Sequence, residues 1–192
     1  MPRLLLFILA LLAACGAPAA PSAPVALYDG QSFKGWTLLG GERAFIIEGG
    51  GVLAYGDAPG ALVTAASYAD FELTCQIRSD AGSSAGIALR CEADPRSNTR
   101  AALVVLADML APMAGKDACG SIRGVAPAKS AAMQPTGAWN GLKLTLRGQQ
   151  LEVEVNDIIT ANARVETAAS GHIALLGEGE FFWVREMVLR QL

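Results

Sequence analysis

Residues Cys119 to Asp157 read CGSIRGVAPAKSAAMQPTGAWNGLKLTLRGQQLEVEVND, and the alternation in their second half commits this part of the chain to β-structure. Leu142, Leu144 and Leu146 alternate with Lys143, Thr145 and Arg147; Leu151, Val153 and Val155 alternate with Glu152 and Glu154. Period-2 alternation on both sides of a short turn, here Gly148-Gln149, predicts a hairpin with one apolar and one polar face. The loop before it carries Pro127, Lys129 and Pro135 and ends in Trp139-Asn140. Binding groups favour such loops, carried on a rigid sheet.

The same short-strand pattern continues on either side. Phe71–Arg78, Ile87–Glu92, Arg100–Ala107, Ile158–Val165, His172–Leu176 and Phe181–Leu189 read as strands, as do Ala44–Glu48, Val52–Tyr55 and Ala61–Thr64, and Val25–Gly30 is a short apolar run ended by an Asp-Gly turn signal. Leu103–Leu106 is continuously apolar, as in a strand covered on both faces. Asp108 to Lys116, with Met109, Leu110 and Met113, reads as a loop or one helical turn. Trp36 reads as a packing aromatic, with sugar stacking as the alternative. No segment keeps helical periodicity and no internal repeat is evident. Strands broken at regular spacing by Gly, Asp and Pro predict an all-β fold, a sandwich of two antiparallel sheets or jelly roll.

The first 15 of the 192 residues, MPRLLLFILALLAAC, have Arg3 as a positive start, an apolar run from Leu4 to Leu12, and small residues after it. That is the pattern of a secretory signal, too short to span a bilayer. Leu12-Ala13-Ala14-Cys15 resembles the lipobox of bacterial lipoproteins, which implies cleavage after residue 14 and diacylglycerol on Cys15. Cleavage nearer Ala19-Ala20 is the alternative. Residues 15–24, rich in Ala and Pro, then form a tether, and 25–192 form the domain. The expected place is the cell envelope, with the membrane engaged through a lipid anchor and not through a helix. Loss of the first 14 residues removes one of 15 basic side chains and leaves 18 acidic ones, a formal charge of −4. No basic cluster remains, so nucleic acid is not an expected partner.

Cys75, Cys91 and Cys119 remain after Cys15. If Phe71–Arg78 and Ile87–Glu92 form a hairpin pivoting near Ser83, Cys75 lies opposite Cys91, and export makes a disulfide there possible. Three buried free thiols are the alternative.

Six short segments, in order, resemble the bacterial 3-keto-disaccharide hydrolase domain family. Leu27–Trp36 (LYDGQSFKGW) is similar to its "LFDGKSLDGW", and Tyr68–Leu73 (YADFEL) to "YxDFEL". Ser84–Arg90 (SAGIALR) resembles "NSGIxLR", Gly137–Asn140 (GAWN) "GEWN", Gly171–Leu175 (GHIAL) "GxIxLQ", and Val184–Met187 (VREM) "FRNI". The resemblance implies a concanavalin A-like jelly roll. It also implies cleavage of glycosides already oxidised at sugar C3, whose 3-keto group acidifies the C2 hydrogen. A base removes that hydrogen, the enolate expels the glycosidic oxygen, and water adds. Such a site needs a base and donors at the enolate oxygen, not the paired carboxylates of ordinary glycosidases.

The chain also departs from the family. Where the family has a polar "YExQ" strand, the alignment places Ala101-Ala102-Leu103-Val104, with Ala102 and Val104 at the cleft positions. Gly120–Gly124 (GSIRG) replaces "GxxYG", and Leu176 replaces the last Gln of "IxLQ".

Arg90, on the strand face opposite Leu89 and Cys91, is the first candidate catalytic residue, donating to a sugar oxygen or enolate; a surface Arg paired with Glu92 or Gln76 is the alternative. Arg123 supplies a second cation or fills the space of the family's Tyr. His172, the only histidine, is the candidate base by its ordinary pKa, with a rim position as the alternative. Asn140 and Trp139 are candidate carbohydrate-binding residues, or a structural corner. Asp108 is a candidate substrate-binding acid or a solvated loop residue. No cofactor is expected. One histidine excludes a His-rich metal site; a carboxylate-bound divalent ion through Asp94, Asp108, Asp117 or Glu178 is left open. Three functions follow: a lyase or hydrolase on 3-keto glycosides, a carbohydrate-binding module that kept only the fold, and a structural lipoprotein.

Overall fold

The structure, a computed structural model, describes residues 22–41, 44–48, 52–55, 59–80, 82–83, 85–95, 101–107, 114–177 and 182–192. Cys15, Asp108 and Glu178 lie outside them. Strands follow one another without an intervening helix among these residues. They are β1 (Val25–Ala26), β2 (Trp36–Gly40), β3 (Phe45–Glu48), β4 (Val52–Tyr55), β5 (Gly60–Thr64), β6 (Phe71–Ser79), β7 (Ala85–Cys91), β8 (Ala102–Ala107), β9 (Asn140–Arg147), β10 (Gln150–Val155), β11 (Ile158–Arg164), β12 (His172–Gly177) and β13 (Phe182–Gln191). One sheet of eight runs β11-β10-β9-β6-β13-β4-β3, with β1 also on β13; the other, of five, runs β2-β5-β12-β7-β8. All the strand pairs are antiparallel. The expected two-sheet jelly roll is the observed fold.

The β9–β10 hairpin has the predicted register, Arg147 opposite Gln150 and Leu142 opposite Val155. Its leucines and valines are sealed between the sheets, while Lys143, Thr145, Glu152 and Glu154 face outward. From β6 come Phe71, Leu73, Cys75 and Ile77, and from the smaller sheet Ile87, Leu89, Val104, Ile173 and Leu175, to complete the same core. Truncating one of these buried leucines to Ala costs about 2–5 kcal/mol. Trp36, 9% exposed, is a packing aromatic as expected; its indole N–H donates to the Leu27 carbonyl at 2.7 Å.

Three expectations are corrected. First, β6 and β7 do not form a hairpin. After Ser79 the chain leaves the larger sheet, and β7 pairs with β12 and β8 in the smaller one. Cys75 therefore faces the inter-sheet core, whereas Cys91 sits in a second apolar cluster on the other face of the smaller sheet. They are not partners, and Cys75, Cys91 and Cys119 are free thiols.

Second, β8 is one residue out of the expected register. Ala102 and Val104 point into the core; Ala101 and Leu103 take the outer face. β8 is also an edge strand. Its open side is covered by residues 120–123: Gly120 donates to Val105 O at 2.8 Å, Ser121 O accepts from Val105 N at 3.0 Å, and Arg123 N donates to Leu103 O at 2.8 Å. Covering an edge in this way satisfies its backbone groups.

Third, Arg90 does not stand on a cleft face. The pairing of β7 with β12 slips between His172 and Ile173, and Arg90 sits in the left-handed region at φ 52°. A bulge with this conformation re-aims a side chain, here into the interior. Gly171 makes it possible: a Cβ there would lie 2.6 Å from the Arg90 carbonyl carbon. No helix among the described residues is long and apolar enough to cross a membrane.

Candidate functional site

The structure scatters the residues expected to act together. Arg90 has a side chain 1% exposed. Its guanidinium donates to Asp70 Oδ1 at 2.8 Å, Ala69 O at 2.8 Å, Gly148 O at 2.5 Å, Ala168 O at 3.3 Å and Thr167 Oγ1 at 3.4 Å. Burial lowers its pKa, and Asp70 acts in the opposite direction. With its donors engaged inside the protein, Arg90 is a structural tie between the Ala69-Asp70 segment before β6, the β9–β10 turn and the 167–168 loop. His172 also bonds locally: its Nδ1 is 2.7 Å from the Thr64 carbonyl, which holds β12 against the end of β5. That carbonyl can only accept, so the ring donates through Nδ1.

Asn140 is 1% exposed and makes a corner, not a ligand contact. Its Oδ1 accepts from Gln134 N and Asn156 Nδ2, both at 2.7 Å, and its Nδ2 donates to Ala138 O at 3.0 Å. Asn156 in turn accepts from Gly141 N at 2.9 Å and donates to Ala132 O at 2.8 Å. This network fixes the turn that presents Trp139.

Trp139 belongs to a ladder on the outer face of the larger sheet. Trp183 on β13 is opposite Arg78 on β6, and Ile77 is opposite Asn140, which sets Trp139 beside Arg78. The Arg78 guanidinium lies 4.1 Å from the Trp183 ring centre and 5.3 Å from that of Trp139; Arg185 lies 4.0 Å from Trp139. Cations over indole faces attract electrostatically, so the four side chains hold one another in place. The Trp183 indole N–H also donates to Glu48 at 3.2 Å.

Next to this ladder runs a groove of about 420 Å³, floored by Thr74, Gln76 and Gly141 and walled by Trp139 on one side and Lys143 and Glu154 on the other. The absent side chain of Gly141 opens it: a Cβ there would meet only Asn156 Oδ1 and Gln76 Nε2, both at 3.9 Å. Lys143 Nζ bonds both Glu154 oxygens, at 2.9 and 3.1 Å, and this bond is the main reason its pKa is raised. An indole wall beside amide, hydroxyl, ammonium and carboxylate groups suits a sugar, which has apolar C–H faces and hydroxyl edges.

The outer face of the smaller sheet is different. Ala61 and Val63 of β5, Ala88 and Cys91 of β7 and Ala174 of β12 are buried there, beside Leu39, Ala101, Leu103 and Leu176. Of these strands β7 and β12 carry sequence motifs, as do β6, β9 and β13 of the larger sheet. Arg123 is elsewhere, exposed at the β8 edge. Among the described residues no group of three or more His, Cys, Asp or Glu is placed to hold a metal ion.

The sequence reading missed Arg78, Gln76, Lys143, Glu154, Trp183 and Arg185. Their signal was present: each takes an outward position in an alternating strand, and Trp183-Val184-Arg185 puts an aromatic and a cation on the same face.

The family model described as the 3-keto-alpha-glucoside-1,2-lyase-like domain matches residues 23–190. A crystal structure from Parabacteroides distasonis ATCC 8503, described as a candidate glycosyl hydrolase, superposes with a TM-score of 0.77 at 19% identity, covering 89% of this chain and 100% of the other. The Bacillus licheniformis β-glucanase gives 0.62 at 8% identity over 87% and 96% of the two chains. The Bacillus subtilis carbohydrate-binding module CBM66 gives 0.56 at 16% identity over 80% and 93%. At these identities the likeness is one of fold. No curated protein matches the chain in sequence.

Proposed function

The chain belongs to the 3-keto-alpha-glucoside-1,2-lyase-like family, and we propose that it works at the cell envelope as a lipid-anchored domain that binds a glycan without cleaving it. The observation that carries this reading is the contrast between the two outer faces. In the smaller sheet the outer positions of β5, β7 and β12 are alanine, valine and cysteine, all buried. A lyase needs a base near the C2 hydrogen and donors at the enolate oxygen, and these apolar positions supply neither. The larger sheet presents the Trp139 ladder and a polar groove.

In this groove Trp139 orients the sugar ring, and Gln76, Thr74 and the Lys143–Glu154 pair exchange hydrogen bonds with its hydroxyls. Each such bond contributes about 0.5–1.5 kcal/mol net. Cys15 carries the lipid, and the tether from it reaches the domain by Ser22, which bonds Gln191 of β13. Isothermal titration with neutral and 3-keto disaccharides tests the binding, run beside an assay for released sugar. Binding with no release is expected, and release of sugar by the domain, or unchanged affinity in Trp139→Ala, would overturn the reading. Uptake of a fatty-acid probe tests the anchor; Cys15→Ala is expected to abolish it, and a labelled Cys15→Ala protein would remove Cys15 as the site.

Family membership favours a second reading, a lyase on 3-keto glycosides. Its base would come from Glu154, the carboxylate beside Lys143. Release of sugar that Glu154→Gln abolishes would select it.

A further inference from the structure

A second groove, of about 750 Å³, opens at the far end of β9 from Trp139. Arg164 at the end of β11, Arg123 on the segment covering the β8 edge, Gln149 of the β9–β10 turn and Glu166 surround it, over a floor formed by Ala102 and Val165. Neither guanidinium has an ion-pair or hydrogen-bond partner among the described residues. Elsewhere Arg90, Lys143 and Arg190 are each paired with a carboxylate.

The walls are fixed in place. Val165 N donates to Gln149 O at 2.8 Å, and Arg123 N donates to Leu103 O at 2.8 Å. The buried Arg90 guanidinium ties Gly148, Thr167 and Ala168 together from below, and Gly148 N donates to Asp70 at 2.8 Å. Two arginines and one glutamate give the groove a formal charge of +1, although the whole chain carries −3.

We propose that this groove binds an acidic sugar of the uronic-acid class, with Arg123 and Arg164 on its carboxylate. Guanidinium forks match a carboxylate in bidentate geometry. The surplus of one positive charge matches a monoanion, and Glu166 opposes a multiply charged phosphate. The volume lies within the range of small-molecule sites, and the exposed Val125 on its lining offers an apolar contact to the C–H face of a pyranose. This site is separate from the Trp139 groove, so it does not depend on the function proposed there.

The test is calorimetry of the purified protein with galacturonate, a monoanion, and with its methyl ester, at about 0.15 M salt so that long-range attraction is screened. The acid is expected to bind at least tenfold more tightly than the ester. Arg123→Gln and Arg164→Gln are each expected to weaken acid binding about tenfold, the effect of losing one charged hydrogen-bond donor. Arg147→Gln, an exposed charge outside the groove, is expected to change it less than about twofold. Both groove arginines are exposed, and unchanged circular dichroism verifies that the variants fold. Equal binding of acid and ester, no binding of either, or tighter binding of glucose 6-phosphate than of galacturonate would each overturn the proposal.

Discussion

Arg90 donates to Asp70 at 2.8 Å from a guanidinium that is 1% exposed, and the same head bridges three backbone carbonyls. It is the knot that closes one end of the sandwich. Arg90→Ala strands those carbonyls, and a buried polar group left unsatisfied costs about 1–3 kcal/mol. The expected loss is about 3 kcal/mol or more, read from denaturant midpoints. Gly171→Ala, which pushes against the Arg90 backbone, is expected to move stability in the same direction. A folded Arg90→Ala protein of unchanged stability would contradict the structural role.

The Trp139 groove makes a separate prediction. Gly141→Val places methyl groups in the groove while suiting a strand, and a Cβ there has ordinary contacts. Glycan affinity is expected to fall at least tenfold with the thermal midpoint held within a few degrees. Loss of folding in this variant would show instead that Gly141 is needed by the sheet. Trp139→Ala with full affinity would remove the ladder from recognition.

Burial pushes the Cys75 thiol up to about 12 and Cys91 up to about 11; burial pushes Cys119 to about 12, with neighbouring Cys75 adding to the effect. The thiolate is the reactive form. Native protein at mildly alkaline pH is therefore expected to resist Ellman's reagent, and protein unfolded without reductant to release all three thiols. Two missing thiols in the unfolded sample would mean a disulfide.

The Lys143–Glu154 pair gives a signed pH dependence. Its folded pKa is raised, first by the hydrogen bond to Glu154. The stabilisation is thus fully present below lysine's unfolded pKa, about 10.4, and is lost as pH rises through the higher folded value. The Lys143 side chain is 38% exposed, so the pair contributes less than about 1 kcal/mol. Glu154→Gln is expected to lower the urea midpoint slightly at neutral pH and not above the lysine range. A difference that grew with alkalinity would contradict this.

The fold was largely readable, because period-2 alternation reports a half-buried strand directly: the β9–β10 register follows residue for residue. Alternation does not record which sheet a strand joins. Ser79–Gly86 looks like a hairpin turn yet crosses between sheets, and the Cys75–Cys91 pairing fell with that assumption. Arg90 was misplaced for a related reason, since a one-residue bulge reverses a strand's facing, and no local pattern marks it. The same period-2 sensitivity moved the outer positions of β8 from Ala102 and Val104 to Ala101 and Leu103. Trp139 was singled out, but Arg78, Arg185 and Trp183 come from strands distant in sequence, and only the sheet order brings them together.

The most direct test is one NMR sample of ¹⁵N-labelled protein with 3-keto-trehalose. A saturable shift of the Trp139 indole resonance is expected while the disaccharide signals persist. Consumption of the disaccharide, or a Trp139 resonance that does not move, would overturn binding without cleavage at this groove.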